Sequence, residues 1–198
     1  MARLPSVLGT DDLPLAELYA ARLDGDVVQL FGAFVPIDEP DLPPLRAQLA
    51  AHEAPAGVIL DRWSAAWVHG ASDLPPAAHE FCVPIDARGT TRPGTRRIRQ
   101  VVLHDPDIVV IGGVRCLSYE RTAIEIARDL AADDDDVLNA LHVLCAASPT
   151  LWGRLRTRID EWERLAYKRR VLERLDATAK RLPSETVAMP TAGRRSAV

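Results

Sequence analysis

The side chains best placed to bind something are cationic. Arg92, Arg96, Arg97 and Arg99 put four guanidiniums into eight residues, where a loop containing Pro93 and Gly94 runs into an alternating strand pattern. Lys168-Arg169-Arg170 is the densest point of a second basic stretch, Arg154 to Arg181, which holds ten basic and five acidic residues. Arg22 is the cation of the first helical segment. Arginine forks suit phosphate oxygens, and such contacts supply most nucleic-acid affinity. These eight residues are therefore the DNA-binding candidates. The competing reading is structural: charge guards a strand edge against aggregation, and mixed i,i+4 pairs such as Asp160–Arg164 solvate a helix.

Catalytic and metal-binding patterns are missing. His52, His69, His79, His104 and His142 form no HxH or HExxH arrangement, and Cys82, Cys116 and Cys145 are too far apart for a zinc site. Those cysteines read as reduced, buried thiols. Ser6, Ser64 and Ser118 lack a nucleophile elbow, and Gly112-Gly113 is followed by no Gly-Lys-Ser/Thr. Asp133–Asp136 lacks the ligand spacing of a calcium loop and reads as a helix cap. Trp63, Trp67 and Tyr119 offer flat rings to bases, but in an aromatic-poor chain they read as core anchors. We expect no catalytic residue, no cofactor and no metal. The alternative enzyme would draw its acids from Asp61, Glu80 and Asp86, which fall near strand ends.

The elements that must position these residues follow from apolar spacing. Leu15, Leu18, Tyr19 and Leu23 predict a helix capped within Thr10-Asp11-Asp12 and closed at Asp24-Gly25. Val27–Leu30 and Ala33–Ile37 predict a hairpin. A helix then spans Leu45 to about Glu53, followed by a strand at Val58–Leu60 and a short helix from Arg62 to Val68 capped by Asp61. Strands follow at Glu80–Ile85 and Arg97–Leu103. Asp107–Ile111 and Val114–Leu117 flank Gly112-Gly113 as a second hairpin. A helix after Ser118, another over Val137–Ala147, and a long one from about Leu151 to Ala177 complete the pattern. The apolar stripe of that last helix needs a partner, which a homodimer would supply.

Net charge is −4 overall, yet residues 1–91 hold five basic against thirteen acidic residues, and residues 92–198 hold nineteen against fifteen. A uniformly basic DNA-coating protein is excluded; a local basic patch is not. No stretch is long and apolar enough for a membrane helix, and the first residues lack the apolar core of a signal peptide. A cytoplasmic protein is expected.

Two segments carry a family resemblance. Leu60-Asp61-Arg62-Trp63-Ser64-Ala65-Ala66-Trp67-Val68-His69-Gly70 and Gly113-Val114-Arg115-Cys116-Leu117-Ser118-Tyr119-Glu120-Arg121-Thr122-Ala123-Ile124-Glu125-Ile126-Ala127-Arg128 resemble motifs of the AbiEi-like antitoxins of type IV toxin–antitoxin systems and their actinobacterial transcriptional-regulator relatives. The resemblance spans roughly residues 5 to 145. It implies an N-terminal winged helix, an α/β C-terminal domain, promoter binding that represses the operon, and a toxin opposed without a required direct complex. Some relatives add a nuclease-like extension with Glu-x-Lys, which this chain lacks. The wing segment Val27–Ile37 contains no Lys or Arg, so phosphate contact there is weak.

The expected fold is α/β (α+β): a degenerate winged-helix-like module over 1–40, an α/β antitoxin-like domain over 41–147, a basic C-terminal helix over 148–181 and a disordered tail over 182–198. The expected role is a non-enzymatic antitoxin and DNA-binding regulator, with promoter DNA and a cognate toxin as partners. The alternatives are a module that binds a basic protein, or a degraded nuclease-like domain.

Overall fold

The computed structural model describes residues 5–52, 54–86, 97–148 and 150–182. It divides into two compact units, Met1–Ser118 and Tyr119–Val198. Both helices and a mixed sheet are present, as an α/β fold requires.

In the first unit, α1 (Leu15–Asp24) leads into the antiparallel pair β1 (Val27–Leu30) and β2 (Ala33–Pro36). Gly25 ends α1 at φ +84°, a left-handed conformation that costs glycine little. Leu8, Leu18, Val27 and Phe34 form a small core between helix and hairpin. Next come α2 (Pro43–Ala51), β3 (Ile59–Leu60), α3 (Arg62–Val68), β4 (Glu80–Pro84), β5 (Arg97–Val101), β6 (Ile108–Ile111) and β7 (Val114–Leu117). The five later strands form one sheet in the order β5-β4-β3-β7-β6. β3 pairs antiparallel with β4 and parallel with β7, so this two-residue strand is the centre of the sheet. Its Ile59 and Leu60 are sealed from solvent with Phe81, Cys82, Cys116 and Leu117, and Leu45, Leu49, Trp67 and Val68 join the same core.

The β6–β7 turn explains its two glycines. Gly112 and Gly113 hold φ of +57° and +83°, as a tight hairpin turn demands. A Cβ on Gly112 would lie 2.8 Å from the Pro44 carbonyl oxygen. The N-terminus of α2 therefore packs directly on the turn, and Gln48 Nε2 donates to the Gly112 carbonyl at 3.0 Å.

The second unit is helical: α4 (Tyr119–Ala127), α5 (Asp134–Ala147), α6 (Leu151–Glu161) and α7 (Lys168–Ala179). Arg174, on α7, ties three parts of it together. Its guanidinium donates to the carbonyls of Ala127 at 3.0 Å and Asp129 at 2.6 Å, closing the end of α4, and to Asp134 Oδ1 at 2.6 Å at the start of α5. Within α4, Arg121 and Glu125 form a fully buried pair one turn apart, at 2.8 Å.

Two expectations are corrected. The single helix from about Leu151 to Ala177 is two helices, broken between Glu161 and Lys168. The break is built from residues that read as a continuing stripe. Trp162 leaves helical geometry at ψ 89° and lies beneath the guanidiniums of Arg121 and Arg158, 5.2 and 5.8 Å from its ring. Leu165 is buried, and Tyr167 reverses the chain at φ +60°. The cap expected within Thr10–Asp12 is also displaced. α1 begins after Pro14 with no side-chain cap, and Asp12 instead accepts the Gly9 N–H at 2.9 Å within the preceding turn.

Candidate functional site

The charged cluster that the first unit builds most deliberately lies where β3 ends and α3 begins. Three neighbouring strands bring it together. Asp61 follows β3, Glu80 opens β4, and Arg99 lies on β5 opposite Cys82. Asp61 is completely buried and does two jobs. Its Oδ1 accepts the Arg62 N–H at 2.8 Å, capping α3, and both of its oxygens receive the Arg99 guanidinium, Nη2 to Oδ1 at 2.9 Å. Glu80 Oε2 takes the next helical N–H, from Trp63, at 3.1 Å. Ser64 Oγ accepts the Glu80 N–H at 2.9 Å and lies 3.3 Å from His79 Nδ1. A cavity of about 280 Å³ is lined by Asp61, Arg62, Glu80, Ile98 and Arg99.

The chemistry of this cluster is that of a clamp. Two carboxylates face two guanidiniums, and the Asp61 oxygens are taken up by Arg99 and a helix N–H. Arg62 is held at φ +43°, a conformation side chains avoid, by its own N–H bond to Asp61. Asp86, the third acid of the alternative enzyme, lies six residues along the chain from Glu80, past the far end of β4. It sits in the turn that follows β4, at the opposite end of the strand from Glu80. Among the described residues, no group of three or more His, Cys, Asp or Glu side chains converges to hold a metal.

Beside the clamp, His69 ends α3 and is buried. Its Nε2 donates to the Leu117 carbonyl at 2.7 Å, joining α3 to β7. Burial lowers its pKa, with the Leu117 bond pulling the other way. Cys116, also buried, has its thiol pKa pushed far up by desolvation and then by the nearby charge of Asp61.

The eight DNA-binding candidates fall in different settings. Arg22 is exposed on α1 and donates to Gln29 Oε1 at 3.2 Å. Arg92 and Arg96 lie outside the described residues, and Arg97 contributes the first backbone position of β5. Arg99 is the clamp's cation. Lys168 Nζ donates to the Asp160 carbonyl at 2.8 Å and so closes the end of α6. Arg170 pairs with Asp134, whose carboxyl is held below its ordinary pKa first by Arg174 and then by Arg170. Arg169 is 93% exposed, with Glu173 at 3.6 Å.

Sequence reasoning missed the Asp61–Arg99 pair because 38 residues separate its partners. It missed Arg46 for a different reason. Arg46 grips both Asp41 oxygens at 2.7 Å, donates to the Trp67 carbonyl at 3.0 Å and lies over the Trp67 ring. Asp41 lies before α2 and five residues from Arg46, outside the i,i+3 and i,i+4 spacings that mark helical pairs. Trp67 itself is a core anchor as expected, with His79 stacked against it and the Phe31 ring edge-on.

With this geometry in place, the match to known proteins has a location. A family model described as the AbiEi antitoxin C-terminal domain matches residues 56–151. Residues 56–151 are similar to the AbiEi antitoxin C-terminal domain. Both sequence motifs lie inside that match, and so does the Asp61–Glu80–Arg99 clamp. The AbiEi-like stretch begins just before β3 and runs to the first residue of α6. Residues 5–55, with α1 and the first hairpin, lie outside it. No curated protein matches the chain.

Proposed function

We propose that this protein is the non-enzymatic antitoxin of a toxin–antitoxin pair and that it represses its own operon by binding promoter DNA. The observation that carries the antitoxin role is the AbiEi-like domain over residues 56–151. The clamp supports a non-enzymatic reading, because its buried acid is neutralised by Arg99 and serves as a helix cap. Among the described residues no helix is long and apolar enough to cross a membrane, which accords with a cytoplasmic site of action.

Operator binding falls to Arg92, Arg96 and Arg97, which cluster in the sequence, and to Arg169, the most open cation of α7. α1 and the β1–β2 hairpin make a winged-helix-like module that has lost its phosphate-neutralising charge. A gel-shift titration against the protein's own upstream DNA tests this part. Binding at low salt that weakens steeply with added salt is expected, and replacing Arg92, Arg96 and Arg97 by alanine lowers the salt slope by about one per lost phosphate contact. No shift even at low salt would remove operator binding while leaving the antitoxin role standing.

A further inference from the structure

α1 is apolar on the side it buries and on the side it leaves open. Leu18 is sealed and Ala21 packs beside it against the hairpin. On the other side Leu15 and Leu23 are 50% and 88% exposed, Ala16 and Ala20 are exposed as well, and Tyr19 sets one edge of its ring against Phe34, 5.4 Å between centroids, while remaining 42% exposed. At 3.6 residues per turn these five positions join into one arc of roughly 140°. Leu15, Tyr19 and Leu23 stand one above the next, and the two alanines beside them leave room for a close approach by a second helix. Glu17 and Asp24 border this arc on one side and Arg22 on the other, so the apolar surface is a stripe wider than the hairpin covers.

The charge around this face selects its occupant. Asp11, Asp12, Glu17, Asp24 and Asp26 are all exposed around it, and residues 5–42 contain eight acidic residues against Arg22 alone. That field repels nucleic-acid phosphate, and it repels the same module of a second copy. It attracts lysine and arginine. A cavity of about 560 Å³ adjoins the face, and its lining includes Asp11, Asp12, Leu15, Leu18, Phe34 and His52. That lining suits a basic side chain, whose stem lies on apolar surface while its head reaches a carboxylate.

We propose that the open face of α1 docks a helix of a partner protein, one that presents an apolar residue every turn between flanking lysines or arginines. The docking goes beyond the antitoxin role and does not depend on it, since α1 lies outside the antitoxin domain.

The test uses the full chain and two short labelled helical peptides with leucine at i, i+4 and i+8, one flanked by lysine and one by glutamate. Fluorescence anisotropy should show binding of the lysine peptide only, weakening as salt screens the acidic rim. Leu23→Lys and Glu17→Lys should each weaken it by about tenfold or more. Both residues are exposed, so the thermal melt should stay where it is. The proposal is overturned if the lysine peptide does not bind, if the glutamate peptide binds equally, or if Leu23→Lys binds like the parent. Sedimentation showing a dimer that Leu23→Lys dissolves would assign the face to a second copy. Displacement of the lysine peptide by duplex DNA would assign it to nucleic acid.

Discussion

Asp61 shows how one residue couples local and long-range structure. Its place as the cap of a short helix follows from the run Leu60-Asp61-Arg62, and the cap is where the sequence puts it. Its pairing with Arg99 could not be read, because a contact between β3 and β5 exists only once β4 lies between them. Replacing Arg99 by methionine would leave a buried carboxylate with one backbone donor. We expect a loss of about 3 kcal/mol in denaturant unfolding, in the range for breaking a buried pair. His69 gives a second prediction with a definite sign. Its folded pKa lies below the ordinary 6.5, so the folded state binds fewer protons than the unfolded state just below that value. Stability therefore rises with pH across a window below about 6.5 and levels above it. Denaturant midpoints taken between mildly acid and neutral pH should show that slope, and His69→Gln should flatten it. The cysteines behave alike. Cys82, Cys116 and Cys145 are wholly buried, and burial pushes the Cys145 thiol up to about 11. A thiol reagent should leave the native protein unmodified and label all three residues once it is unfolded.

At the scale of elements, what was legible was what local spacing encodes. The α1–hairpin sequence, the short Asp61-capped helix and the Gly112-Gly113 turn all follow from apolar period, cap and turn chemistry. The break between α6 and α7 does not. Trp162 and Leu165 continue a helical stripe on paper, and they mark a reversal only because Arg121 and Arg158 come from elsewhere to cover the Trp162 ring. Trp162 is half-buried, so Trp162→Ala should cost about 1–2 kcal/mol, less than a fully buried aromatic, and should loosen the packing of α6 against α7. Hydrogen exchange in those two helices would report it. The Gly112 turn has the opposite character, since both its conformation and its contact forbid a side chain. Gly112→Ala must shift Pro44 or the turn itself, and a loss of about 2 kcal/mol is expected. Gly113→Ala meets no neighbour within 4 Å, so it carries only the cost of its positive φ and should lose less.

Across the whole molecule, the division of charge is the feature that shapes function. An acidic first segment precedes a chain whose second half carries the positive balance, and the folded second unit pairs much of that positive charge with its own acids and carbonyls. Lys168, Arg170 and Arg174 look like a patch in sequence, yet they close helix ends and pair with Asp134. A count of cations could not separate those that hold the fold from those left for a partner, because the difference lies in where acids and carbonyls end up. The antitoxin domain was legible in two short motifs, and the match places it over residues 56–151. The clamp inside it was not. The most direct test of the central claim is growth of cells made to express a neighbouring gene product that is toxic on its own, with and without the full chain. Growth restored by the protein, and restored less well by Arg99→Met in proportion to its lost stability, is the predicted result. Toxicity undiminished by soluble, folded protein would contradict it.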